Sequence, residues 1–203
     1  MVAVIAIHIA IGLALGVLTS IPIGVANVAV VDAGLRSGRR RALGIAAGGA
    51  VADAVHSGLA FTGMGLVLHR HPLVPAILFT VTGALITGYG VHALRAVTRH
   101  RPAAVDGGFL LGLALTGLNP APLLAWLVVA GALALPSAVA GLIAAAGVGV
   151  GAFACFAVFA HLAARGRDVV SSRRSSALRW VGAALIVLGV ISGGRGMYLL
   201  ALG

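Results

Sequence analysis

The chain reads as an all-α membrane protein with six transmembrane helices, arranged as two inverted three-helix repeats. Three observations predict this class. The composition is 61% hydrophobic and only 9% charged, against about 25% charged in soluble domains. The apolar residues fall into six long continuous runs, not the alternating segments of ~10 residues that build a membrane barrel. The first and fourth of these runs are each interrupted by proline. A mean hydropathy of +1.13 agrees, and so do 30 glycines, a residue commoner in membrane helices than in soluble ones.

In chain order, the runs span approximately 3–31, 42–67, 73–94, 107–135, 137–163 and 177–203. The first would reach roughly 45 Å as one helix at ~1.5 Å per residue, beyond the ~30 Å hydrocarbon core of a bilayer. It holds Thr19-Ser20-Ile21-Pro22-Ile23-Gly24-Val25-Ala26-Asn27, which predicts a helix broken at membrane depth. Arg36-Ser37-Gly38-Arg39-Arg40-Arg41 separates it from the second run, which carries Asp53. His69-Arg70-His71-Pro72 forms a turn before the third run, and Arg95, Arg99, Arg101 and Pro102 end that run. The fourth run repeats the interruption at Leu118-Asn119-Pro120-Ala121-Pro122. Leu135-Pro136-Ser137 is an uncharged break before the fifth, and a serine- and arginine-rich loop from Arg165 to Arg179 precedes the sixth. No stretch between runs is long enough to fold independently. One transmembrane domain over 1–203 is expected, with a first repeat at about 1–101 and a second at about 102–203. No Arg or Lys precedes Arg36, so the basic start of a signal peptide is missing and the first run is expected to be retained.

The net charge of +10 comes from 14 basic residues and four aspartates. In a soluble protein that balance would point to nucleic acid, but here the arginines lie between apolar runs. The connections after runs one, three and five carry four, three and five arginines, and those after runs two and four carry one and none. Cytoplasmic loops favour basic residues, so the connections near 36–41, 95–101 and 165–179 are expected in the cytoplasm. Both termini then lie outside a cell inner membrane. Arg195, on the minority side, is expected to snorkel to the outer interface. Three spans per half give the halves opposite orientation, which makes the repeats inverted. Gly12/Gly16, Gly44/Gly48, Gly108/Gly112, Gly147/Gly151 and Gly189/Gly193 are G-x-x-x-G pairs, a spacing that lets helices approach closely and is compatible with a homodimer. Cys155 stands alone, which excludes an intramolecular disulfide and a cysteine metal cluster.

Asp53 is the most informative residue. A carboxylate at the bilayer centre costs at least ~2.5–3.5 kcal/mol on insertion scales, so it marks a functional site by default. His56 and Ser57 follow at i+3 and i+4, on the same helix face. That face suits a proton relay, polar contacts to a substrate, or part of a metal site; the bland alternative is a structural hydrogen-bonded pair. Pro22 and Pro120 each remove a backbone donor. The carbonyls and half-helix N-termini freed at such breaks can hold the amino and carboxylate ends of a substrate, with Gly24, Asn27 and Asn119 beside them. A proline kink that only shapes the bundle is the competing reading. Asp32 is expected to pair with the following arginines, Asp106 to cap a helix N-terminus, and Asp168 to lie in a cytoplasmic loop. No G-x-x-x-x-G-K-[ST] loop is present, so ATP hydrolysis is excluded.

These motifs resemble the LysE/RhtB family of small amino-acid exporters. Pro22-Ile23-Gly24-Val25-Ala26-Asn27 matches the family's Pro-x-Gly-Pro-x-Asn type motif except for Val25, where the family has its second proline. Gly34-Leu35-Arg36-Ser37-Gly38-Arg39 follows as its glycine pair and basic loop. Gly44 to Asp53 is similar to the small-residue run that ends in Gly-Asp, here with Ala52 before the aspartate. Asn119-Pro120, after Gly108-Phe109-Leu110, matches the fourth-helix pair, though Ala121 stands where lysine is common. The resemblance implies export of an amino acid or similar zwitterion by proton antiport, with no cofactor, metal or nucleic acid. Pro22, Gly24, Asn27, Asn119 and Pro120 would line the site, Asp53 would carry the proton and His56 would tune it. The wider superfamily includes metal-ion exporters, so a divalent-cation exporter using Asp53 and His56 is the alternative, short of further ligands. An intramembrane enzyme built on His56-Ser57 is disfavoured because consecutive helix residues do not face each other. A non-transporting scaffold would make Asp53→Asn silent. A cationic amino acid would need a second buried carboxylate that the sequence does not offer, which favours neutral substrates.

Overall fold

The computed structural model describes residues 2–21, 24–63, 73–98, 108–133, 135–169 and 174–202. Among these the architecture is helical throughout: α1 (Val2–Ser20), α2 (Val25–Ser37), α3 (Arg39–Phe61), α4 (Leu73–Thr98), α5 (Gly108–Gly117), α6 (Pro120–Leu133), α7 (Ala138–Val169) and α8 (Arg174–Leu202). α1, α3, α7 and α8 are each long and apolar enough to cross a membrane. α5 and α6 meet at a 60° bend and together make a fifth candidate span, while α4 holds a shorter apolar stretch, Ala76–His92. Large apolar side chains such as Val4, Ile7, Leu142, Val158 and Ile191 are exposed. Large apolar side chains exposed on helix after helix suit a lipid surround.

The first interruption differs in kind from the second. α1 has 19 residues and by itself reaches ~28 Å at ~1.5 Å per residue, nearly the hydrocarbon thickness. α2 follows the break as a helix of 13 residues, and Asn27, Val28, Ala29, Val30, Asp32 and Ala33 on it are buried. Pro22 lies outside the described residues, as do His69, Arg70, His71, Pro72, Arg99, Arg101, Pro102 and Asp106.

Two expected loops are largely helical. Between α2 and α3 only Gly38 leaves helical geometry, at φ 90°, a conformation that costs glycine least. Gly38 N donates to Ala33 O at 3.0 Å, so the turn closes within one residue, and Arg39, Arg40 and Arg41 open α3. α7 likewise runs on through Asp168 to Val169, and α8 begins at Arg174.

α3 and α7 form the centre. α3 packs on α2, α5, α6 and α7; α7 packs on α1, α2 and α3; α4 and α8 run together beside them. The close approaches fall at the G-x-x-x-G pairs. A Cβ on Gly12 or Gly16 would collide with the α7 backbone at Ala144 or Val148, and one on Gly48 or Gly112 with the facing backbone at Phe109 or Ile45. Gly189 meets Thr87 in the same way. The core between them is built of small residues around Ile45, Leu115, Phe156 and Leu185.

Asp32 pairs with Arg36 at 2.6 Å, and Tyr89 Oη on α4 donates to its other oxygen at 3.1 Å. The arginine partner follows from the sequence; the tyrosine comes from the fold. Arg195 places its guanidinium 4.9 Å from the Phe79 ring centroid, so its described contact is with α4.

Candidate functional site

The two chain breaks meet at one cavity of about 320 Å³. Each break frees backbone groups that need partners, and the sequence supplies them locally. At the first, Asn27 Nδ2 donates to Ser20 O, the end of α1, at 2.9 Å. At the second, two neighbouring helices supply donors: His56 Nε2 on α3 bonds Gly117 O at 3.2 Å, in the tautomer protonated there, and Thr82 Oγ1 on α4 donates to Leu118 O. Asn119 Oδ1 accepts from Ala121 N at 3.0 Å, which caps α6 and leaves Pro120 at the first helical position, where a missing N–H costs nothing.

Asp53 projects from α3 into this cavity, and Trp126 on α6 lines it too, within interaction range of the carboxyl. The indole has one N–H and only donates. Trp126 is itself fixed edge-on against Phe61, with ring centroids 5.8 Å apart. The carboxyl thus stands between the central helix and the second broken one.

Of the residues singled out from the sequence, Gly24, Asn27, Asp53 and Asn119 line the cavity. Pro120 is buried but is not among the lining residues, and Pro22 is outside the described residues. His56, although one turn from Asp53, is hydrogen-bonded to Gly117 and its Nδ1 has no partner. Ser57 donates back to Ala54 O at 3.1 Å. The polar face of α3 therefore divides: the aspartate faces the cavity, the histidine holds the end of α5, and the serine closes on its own helix. Among the described residues no three His, Cys, Asp or Glu side chains gather as a metal site would need.

Sequence reasoning missed the cavity's other walls. Thr19, Ser20 and Thr116 bring hydroxyls to it, and Trp126, Phe156 and Leu188 bring apolar surface. Ser20 and Thr116 each precede a break by a few residues, a position that could have flagged them. Phe156 and Leu188 carry no such signal, since any apolar run contains residues like them.

Compared with known proteins, the chain matches a family model described as LysE type translocator over residues 17–192. No curated protein and no solved structure matches it.

Proposed function

The chain belongs to the LysE type translocator family and is a membrane transporter, and from that premise we propose that it exports an amino acid or similar small zwitterion by proton antiport. One observation carries this reading. Asp53, the one carboxylate lining it among the described residues, shares a half-open cavity with the helix ends at the two chain breaks, a setting that offers oppositely charged ends to one small molecule. Asp53 is the proton carrier: protonated, it leaves the cavity neutral; ionised, it attracts the substrate's ammonium group. Trp126 donates to the ionised carboxylate and so helps to hold it in place. His56 ties the carboxylate's helix to the α5 end, so that movement of the break and of Asp53 is coupled.

The packing supports two inverted repeats, which we place at about 1–101 and 102–203. α1 meets α7 as α5 meets α3, α2 meets α7 as α6 meets α3, and α3–α7 and α4–α8 pair across the halves. Exchange of the halves maps the first four of these contacts onto one another and the last two onto themselves, while α2–α3 packing has no comparable counterpart between α6 and α7. The arginine distribution supports an inner-membrane orientation with the basic connections inside.

A divalent-cation exporter would need more carboxylate or imidazole ligands around Asp53, and the described residues gather no three His, Cys, Asp or Glu side chains. Transport in proteoliposomes under an imposed pH gradient distinguishes these readings. Amino-acid efflux is expected from the wild type, and Asp53→Asn is expected to lower gradient-driven efflux by at least about tenfold, the scale of one lost charge-assisted interaction. Efflux of divalent metal instead would favour the cation reading. Unchanged efflux in Asp53→Asn would remove Asp53 from coupling.

A further inference from the structure

Two helix N-termini border the cavity, and they differ in how they are capped. α6 is capped by its own Asn119. α2 opens at Gly24, in extended backbone at φ −112° and ψ −179°, with no side-chain cap. The first N–H groups of a helix lack acceptors within it and carry the positive end of its dipole. Gly24, Val25, Ala26 and Asn27 all line the cavity, so α2 turns that end toward it.

A second observation coincides with the first. Ser20 is 3% exposed and Thr116 5% exposed, both line the cavity, and neither hydroxyl has a hydrogen-bond partner. Buried polar groups without partners are few in native proteins and each needs a reason. Ser20 ends α1 and Thr116 lies in the last turn of α5, so each break contributes one hydroxyl. A methyl group placed on Gly49 would stand 3.4 Å from Thr116 Oγ1 and 3.7 Å from Ala26 Cβ. The Thr116 hydroxyl and the first turn of α2 therefore both flank Gly49.

We infer that the N-terminus of α2, Ser20 and Thr116 form a subsite for the carboxylate end of the substrate, leaving Asp53 to face its ammonium end. The inference rests on the cavity being the substrate site and adds the direction in which the substrate lies. A singly charged carboxylate fits because no arginine, lysine or histidine lines the cavity among the described residues; one helix end and two hydroxyls suit one charge. Leu115, Val129, Phe156 and Leu188 are left to contact the substrate's side chain, which favours a neutral, apolar one.

The test uses purified full-length protein and its thermal stabilisation by ligands, since a ligand that binds the folded state raises the unfolding temperature. The probes are alanine, valine, leucine and phenylalanine, each beside its amide, which keeps the ammonium group and loses the carboxylate charge. The wild type is expected to bind the acid more tightly than the amide. Ser20→Ala or Thr116→Val is expected to weaken acid binding by about tenfold and amide binding less, so that the preference shrinks. Ser20→Thr and Thr116→Ser keep a hydroxyl and are expected to keep the preference; if Thr116→Val does not fold, Ser20→Ala against Ser20→Thr decides. Amino-acid binding with an undiminished acid preference in the hydroxyl-less variants would overturn the subsite alone. No binding and no efflux of any of these amino acids by the wild type would overturn the substrate reading beneath it.

Discussion

Asn27 donates to Ser20 O at 2.9 Å, whereas Asn119 accepts from Ala121 N at 3.0 Å. Each near a proline at a chain break, the two look alike in the sequence, yet one closes the end of a helix and the other opens the start of one. Asn27→Ala leaves a buried carbonyl without that donor, and should cost about 1–3 kcal/mol, read as a lower unfolding temperature in detergent. Asn119→Ala removes a cap worth about 1 kcal/mol; Asn119→Ser should restore most of it in the same assay. Asp32 and Arg36 make a harsher case, with side chains 3% and 7% exposed. Asp32→Asn removes the charge that faces Arg36, and breaking a buried pair from one side costs about 3–5 kcal/mol. A variant as stable as the wild type would show that the pair contributes little. Asp53 was legible as a candidate from the cost of its charge at membrane depth. Its partner Trp126 was not, because the tryptophan lies 73 positions away on another helix and only packing brings them together.

At the scale of helices, the glycine pairs set which elements touch. Gly48 faces the backbone of Phe109 and Gly112 that of Ile45, with no room for a Cβ at either. Gly48→Val or Gly112→Val should therefore part α3 from α5, with loss of a monodisperse peak in size-exclusion chromatography. Gly131→Ala meets nothing within 4 Å and should be neutral or slightly stabilising, by up to about 1 kcal/mol of helix propensity. Equal behaviour of the three variants would count against close packing as the role of the spacing. The pairs were readable in the sequence, but their partners were not: a spacing of four marks a face, and says nothing of what will lie against it. The interruptions show the same division. Proline and asparagine disclosed where the chain breaks, while the burial of α2 against α3 and α7 came from the packing.

For the whole molecule, the arginine distribution makes a topological prediction. In a Cys155→Ala background, Ser37→Cys, at the end of α2, should react with an impermeant thiol reagent only from the cytoplasmic side. Ser137→Cys, before α7, should react only from the outside. Both residues are exposed; labelling of both from one side would overturn the proposed orientation. The membrane class, the helical content, the two breaks and the intramembrane carboxylate were fixed by the sequence alone, because hydrophobicity, backbone chemistry and the cost of a buried charge act locally. Which breaks share a cavity, which hydroxyls line it, and that His56 holds a helix end while Asp53 faces the cavity, only the tertiary structure decided. Those are consequences of how helices far apart in the chain pack, and contacts at that separation leave no period or motif in the sequence.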